Sequence, residues 1–318
     1  MKPHWTIFCD TNPNSGKGHV SRMLTLAEKL KKEIKVSFIT QSLDHVYCNE
    51  IKKAGHDICE LNDIKKNKIY ICIIDGNSFK NREIDLIKNM AKFTIQVYDY
   101  KIKNYETDYV ISYDYNFKNS RVIGRGLKYS LINSKFANKK IIKRRPENLL
   151  INFGLADKHN FTYKVLRNIG LYKSLKFKKI YISCQDIDNK RRILGNLVRK
   201  TKTTFIIREF KNDFYKVIKN SDIIIGAGGI NLLERLCSGI PSITICTSDS
   251  QKHMIEYIKR KKATQYCGNF KNFSNFKFEK IMTNIFFNYN LRNELSKNGQ
   301  KIVDANGSNR LVDKLLSL

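Results

Sequence analysis

Ser221-Asp222-Ile223-Ile224-Ile225-Gly226-Ala227-Gly228-Gly229-Ile230-Asn231-Leu232-Leu233-Glu234-Arg235-Leu236-Cys237-Ser238-Gly239-Ile240-Pro241 reads as a buried strand that runs into a glycine turn and then a helix. The three isoleucines suit a strand covered on both faces. Leu232, Leu233 and Leu236 supply the apolar stripe of the helix, Gly239 stands where a left-handed stop is needed, and Pro241 blocks continuation. Gly228 and Gly229 bring bare backbone to the helix mouth, where amide groups up to Ile230 and the helix dipole stabilise a pyrophosphate. Glu234 falls in the first two helical turns, and from there a carboxylate can accept two hydrogen bonds from a ribose diol. The plain alternative for Glu234 is a surface acid that complements the dipole.

The same grammar appears near the start, in Asn14-Ser15-Gly16-Lys17-Gly18-His19-Val20-Ser21-Arg22. A short apolar segment precedes it, and Val20, Met23, Leu24, Ala27 and Leu30 then repeat at helical steps. Gly16 and Gly18 allow a backbone to approach a ligand closely, and the unpaired amides of the first turn favour phosphate or carboxylate. His19 therefore places an imidazole at an anion-binding helix mouth, with Lys17 and Arg22 beside it. Read blandly, this is a tight strand-to-helix turn with a surface histidine.

Between and beyond these two turns the chain alternates apolar runs with helical periods. Thr6 to Cys9, Val36 to Thr40, Tyr70 to Asp75, Thr94 to Tyr98 and Tyr109 to Ile111 read as buried strands, with helices near residues 20 to 32, 45 to 54 and 80 to 92. The pattern restarts after Pro146 with strands at Asn148 to Phe153, Lys179 to Ser183, Thr204 to Arg208, Asp222 to Gly226 and Ser242 to Cys246, and a helix near 161 to 171. Leu291 to Leu316 is helical in pattern, with Gly307 interrupting it. These runs predict two doubly wound parallel-sheet domains, residues 1–140 and 141–318, whose carboxyl-end crevices face one another across a ligand-binding cleft.

The 318 residues, 42% of them apolar, suffice for two cores, and no apolar run approaches the ~20 residues needed to cross a bilayer. The amino terminus is interrupted too soon to act as a signal peptide, so a cytoplasmic location is expected. Eight cysteines are scattered without a CxxC pair or Cys/His cluster, which predicts reduced core thiols and no metal. Lys plus Arg number 59 against 29 Asp plus Glu, a net charge of +30. The lysines are dispersed and no nucleic-acid module accompanies them, so specific nucleic-acid binding is not expected. Asn138 to Arg145, the densest basic stretch, reads as a linker before Pro146.

Together, the Gly16 to Arg22 and Gly226 to Pro241 segments resemble the GT-B nucleotide-sugar enzymes. The likeness is greatest to the UDP-sugar hydrolases of pseudaminic acid biosynthesis, which act on UDP-2,4-diacetamido-2,4,6-trideoxy-β-L-altropyranose. That family's Gly-x-Gly-His-x-x-Arg pattern is matched by Gly16, Gly18, His19 and Arg22, with Asp10 ahead of it. Weaker matches are Tyr98-Asp99, Asp108, the run from Arg125 to Ile132, and Gly154 with Asp157 and Asn160. Three departures cluster on the sugar side: Asp75-Gly76-Asn77 for Asp-His-Tyr, Gly154-Leu155 for a Gly-Gly pair, and Ser250-Gln251 for an Asn-Gln pair.

The resemblance implies an inverting UDP-sugar hydrolase that needs neither metal nor other cofactor. UDP would bind the second domain, and His19 would take a proton from the water that attacks the anomeric carbon. The amides from Gly228 to Ile230 would stabilise the departing UDP, and Asp10 and Asn77 would orient the histidine or sugar hydroxyls. Substrate contacts are expected from Gly16, Lys17, Gly18 and Arg22 on the sugar side, and from Gly154, Gly228, Gly229, Ile230, Glu234, Ser250 and Gln251 on the other. A glycosyltransferase, with a sugar or lipid hydroxyl in place of water and peripheral contact with a membrane, is the first rival reading. A non-catalytic polyanion binder is the second, and it would need a continuous basic stripe. The oligomeric state is left open.

Overall fold

A computed structural model describes residues 4–12, 17–64, 69–98, 105–154, 157, 159–171, 175–184, 187, 195, 202–208 and 213–318. Gly16, one of the expected site residues, lies outside the described residues. The chain forms two compact units, one of residues 1–133 with 305–318 and the other of residues 134–304.

In the first unit the strands are β1 (Trp5–Cys9), β2 (Val36–Thr40), β3 (Ile58–Glu60), β4 (Ile69–Asp75), β5 (Ala91–Tyr98), β6 (Tyr109–Ser112) and β7 (Val122–Arg125), all parallel in the order 3-2-1-4-5-6-7. Helices α1 (Gly18–Leu30), α2 (Cys48–Lys53) and α3 (Asn81–Met90) belong to this unit. The chain order reverses between β1 and β4, and in open parallel sheets the carboxyl ends at such a reversal open a crevice for ligands. Both strands end at candidate site residues: β1 runs into Asp10, and Asp75 closes β4.

The second unit repeats the plan. Its strands β8 (Asn148–Asn152), β9 (Lys179–Ser183), β10 (Thr204–Arg208), β11 (Ile223–Ala227), β12 (Ser242–Cys246) and β13 (Gln265–Asn269) are parallel in the order 10-9-8-11-12-13. Its helices are α4 (Phe161–Leu171), α5 (Phe214–Asn220), α6 (Ile230–Cys237), α7 (Lys252–Arg260), α8 (Asn275–Phe287) and α9 (Tyr289–Ile302). Alternation along the strands separates two cores. Leu149, Ile151, Ile223, Ile225, Ile243 and Ile245 join one, with Phe278 and Met282 of α8, while Leu150 and Ile224 join the other, with Phe214, Val217 and Ile218 of α5. A strand buried on both faces has no polar positions, which is why β11 reads as a bare isoleucine run. The reversal here lies between β8 and β11, so the Gly228-Gly229 turn stands at this sheet's crevice.

The three strands absent from the sequence reading, β3, β7 and β13, are all sheet edges or next to weak pairing. β3 has three half-buried residues, and the β7 and β13 ladders each carry a register shift. Two further differences concern the ends of the second unit. Residues 305–318 lie in the first unit rather than the second. Their helix α10 (Gly307–Leu316) is held there by Arg310 Nη1 on the Lys128 carbonyl at 2.9 Å and Lys314 Nζ on that of Ile123 at 2.7 Å. Gly307 starts this helix instead of interrupting one, because the turn is made by Ala305 at φ +59°. The basic stretch expected to be a linker is tied to the second unit. Lys140 Nζ donates to the Ser221 carbonyl at 2.7 Å, and buried Arg292 donates to the carbonyls of Lys143 and Arg144 at 2.9 and 2.7 Å. No helix among the described residues is long and apolar enough to cross a membrane.

Candidate active site

Helix α1 opens with Lys17 at its cap and Gly18, His19 and Arg22 in its first turns, and its buried side carries His19 and Arg22 with Val20, Met23 and Leu26. That side lies over the end of β4. His19 Nδ1 is 2.8 Å from Asp75 Oδ1, and Arg22 Nε donates to Asp75 Oδ2 at 2.6 Å while its Nη2 donates to Oδ1. Asp75 is fully buried and His19 is 7% exposed. Burial by itself would raise the Asp75 carboxyl, but the Arg22 guanidinium and the adjoining His19 outweigh it and hold it at about 2.

The tautomer follows. A carboxylate held that low carries no proton at neutral pH, so the proton in the 2.8 Å contact belongs to Nδ1 of His19 and Asp75 accepts it. In the neutral ring Nε2 then keeps its lone pair. Arg22 Nη2 also stands 3.2 Å from Nδ1. Both are donors in this state, so that approach is a consequence of the shared Asp75 oxygen and not a bond between them. An imidazole whose proton-bearing side is fixed by an acid can serve as a base, the logic of nucleophile-activating triads.

Of the histidine and the sugar hydroxyls that Asp10 and Asn77 are expected to orient, the histidine is held by Asp75 instead. Asp10 is fully buried and directs its oxygens at the loops, accepting from Asn12 N at 3.0 Å, Ser78 Oγ at 2.8 Å and Asn77 N at 3.3 Å. Asn77 itself is exposed. Asp75, not Asp10, contacts His19 because Cys9 pairs with Asp75 across β1 and β4, which leaves Asp10 one residue past the ladder with its side chain in the turns. Lys17 pairs with Glu50 of α2 at 2.8 Å. The sequence signal for Asp75 was present: a single acid closing an apolar strand. Thr11 Oγ1 lies 2.8 Å from His45 Nδ1, which brings a second imidazole to the carboxyl edge of this sheet.

In the second unit Gly154 follows β8 at φ +84°, with its amide on Asn152 Oδ1 at 3.0 Å. Asp157 accepts from the amides of Phe161 and Thr162 and so occupies the mouth of α4. The α6 mouth is formed by buried Gly228 and half-exposed Gly229 and Ile230, and Glu234 sits one turn on, 6% exposed. Gln251, an expected substrate contact, ties two loops together. Its Oε1 accepts from Gly228 N at 3.1 Å and Thr247 N at 3.0 Å, so the amides left at the mouth are those of Gly229 and Ile230. Ser250 is exposed, with its hydroxyl 2.8 Å from that of Ser248.

Gly226, just before this turn, is required by packing. A Cβ there would stand 2.2 Å from the Asn152 carbonyl oxygen and 2.4 Å from Arg235 Nη1. The backbone oxygen cannot yield without opening the pairing of β8 with β11. Gly226→Ala is therefore expected to destabilise the protein by roughly 1–3 kcal/mol or more. At Gly229 the nearest atom would be 3.8 Å away, and Gly229→Ala should fall within about 0.5 kcal/mol of the parent. Urea unfolding curves of both variants check the contrast, and equal midpoints would contradict it.

No family model matches the chain. Over 99% of its length it is 26% identical to the spore coat polysaccharide biosynthesis protein SpsG of Bacillus subtilis (strain 168), covering 98% of that protein. It is also 26% identical over 80% of its length to the protein MJ1062 of Methanocaldococcus jannaschii, of which it spans 58%. Among solved structures it superimposes on MurG of Acinetobacter baumannii with a TM-score of 0.77 at 14% identity, each chain covered in full. It matches the UDP-GlcNAc 2-epimerase of Neisseria meningitidis with a TM-score of 0.69 at 11% identity, covering 99% of this chain and 100% of that one. The calicheamicin glycosyltransferase CalG4 gives 0.69 at 10% identity, over 100% and 98% of the two chains. At such identities the structural likeness establishes architecture: two Rossmann-like parallel-sheet domains in one chain, the GT-B class of fold.

Proposed function

We propose that the protein is a nucleotide-sugar enzyme that hydrolyses a UDP-linked deoxy-diacetamido sugar in nonulosonic (pseudaminic) acid biosynthesis. The observation that carries this reading is the buried Asp75–His19 pair, in which the carboxylate fixes the Nδ1 side of the imidazole at the carboxyl end of β4. In this reading the second unit holds UDP at the α6 mouth and the first supplies the base. Water attacks the anomeric carbon, His19 Nε2 takes its proton, the C1–O bond breaks, and UDP leaves with the electron pair. The amides of Gly229 and Ile230 stabilise the charge that develops on the leaving group. Names of similar proteins support the class: one concerns spore coat polysaccharide biosynthesis, and another structure is bound to UDP-GlcNAc.

The deciding experiment follows UDP and free sugar with water alone and with hydroxyl acceptors added. UDP and free sugar should appear in equal amounts without an acceptor. Release of UDP only when an acceptor is present would make the enzyme a glycosyltransferase using the same base. Glu234 offers a separate check on the nucleotide half. Loss of its hydrogen bonds to a ribose diol in Glu234→Ala should weaken UDP binding by roughly 1.5–3 kcal/mol. Calorimetry showing unchanged UDP affinity would remove Glu234 from the site.

A further inference from the structure

Arg235 is 1% exposed, and the sequence places it on the helix that opens at the Gly228-Gly229 turn. A cation so deep is costly unless it is paired and fully hydrogen-bonded. Here only Nη2 has partners, the Ala227 carbonyl at 2.9 Å and Thr244 Oγ1 at 3.3 Å. Nε and Nη1 are buried with no hydrogen-bond partner. The Thr244 hydroxyl is itself engaged with Thr264 Oγ1 at 2.7 Å, so the groups that hydrogen-bond the guanidinium are neutral. Burial lowers the guanidinium to about 9, with neighbouring Glu234 acting the other way, and it remains cationic at neutral pH. Gly226 lacks the Cβ that would occupy the slot filled by Nη1. The chain thus gives up side-chain volume on β11 to keep an incompletely hydrogen-bonded cation against the carbonyl that leads into the Gly228-Gly229 turn.

We propose that Arg235 is a positioning residue that makes this turn selective for a diphosphate. Its charge acts through the dry interior on the phosphates, and its bond to the Ala227 carbonyl sets the backbone that leads into Gly228. A charge buried one or two peptide units behind the mouth is screened by water and salt much less than a surface charge. The proposal rests on the nucleotide reading of the α6 mouth, and it predicts a difference between ligands that a purely structural arginine would not produce.

The experiment measures UDP and uridine affinities by calorimetry for the full chain and for Arg235→Gln, Arg235→Lys and Arg292→Met. Gln keeps an amide donor for Ala227 but no charge, whereas Lys keeps the charge. UDP binding should weaken roughly 10- to 50-fold in Arg235→Gln, the Coulomb contribution of one such charge, with uridine within about twofold of the parent. Arg235→Lys should restore most of the UDP affinity. Arg292→Met removes the other arginine of the unit that is fully buried among the described residues, which holds helix and strap carbonyls, and should lower the melting temperature while leaving the UDP-to-uridine ratio unchanged. Parallel loss of UDP and uridine in Arg235→Gln, or failure of Lys to rescue, would overturn the proposal. If Arg235→Gln does not fold, Arg235→Lys alone decides, since a ratio lost despite the retained charge contradicts it. A parent protein that binds uridine but not UDP would reject the diphosphate role alone. One that binds neither would reject the nucleotide reading first.

Discussion

Asp75→Asn is expected to lower turnover about 10³- to 10⁴-fold, the scale on which a misoriented or mis-tautomerised imidazole fails. The carboxamide has one acceptor oxygen where Asp75 has two, and Arg22 and His19 both require an acceptor there. If the oxygen turns to Arg22, the amide NH₂ faces Nδ1, which must then become the acceptor, and the proton moves to Nε2. The lone pair that would receive the proton from water is lost. Stability should change in a pH-dependent way. Because the folded carboxyl sits at about 2, below its ordinary value of 3.8, Asp75 contributes stability that is fully present above pH ~4 and is lost as pH falls from there to about 2. The contribution is on the order of 2 kcal/mol, from the linkage between pKa shift and folding. Unfolding of parent and variant at pH 7 and pH 2.5 should show the gap closing in acid. Near-native turnover of the variant with a competent sugar donor would place the chemistry elsewhere.

His19→Asn should reduce turnover about 10²- to 10⁴-fold, the usual range for removing a general base. The new side chain can still donate to Asp75, and Arg22 continues to pair with that carboxylate, so the first unit should fold. UDP affinity should barely change, since the proposed nucleotide contacts lie on the other unit. The signature is therefore a fall in kcat at nearly constant affinity, read from initial rates together with calorimetry. A parallel loss of UDP binding would mean that His19 contacts the nucleotide, and unchanged rates would exclude it as the base.

Much of this architecture was legible locally. Apolar runs marked the central strands of both sheets, and the glycine turns at Gly18 and Gly228-Gly229 marked the helix mouths. Gly239 at φ +66° ends α6 as its position after the leucine stripe implied. These signals are short-range: strand and helix periods, glycine torsions and capping are set within a few residues. Of the edge strands, β10 was legible as an apolar run, whereas β3, β7 and β13 escaped because three to five mostly half-buried residues carry no such period.

The site needed the tertiary structure. Asp75 meets His19 across 56 positions, and Gln251 meets Gly228 across 23. Sequence marked the strand ends but did not name Asp75 as the partner of His19, because the side-by-side placement of β1 and β4 follows from the sheet order and not from any local pattern. Arg235 looked like an ordinary residue on a helix until burial showed it beneath the turn, and residues 305–318 looked like a continuation of the second domain until their contacts tied them to the first. Sequence alone determined the central strands, the main helices and the glycine turns between them, since backbone preference and side-chain period act along the chain. Only the tertiary structure decided which acid holds the histidine, which cation lies beneath the turn and where the last helix packs, since those depend on strand order and on which groups packing removes from water.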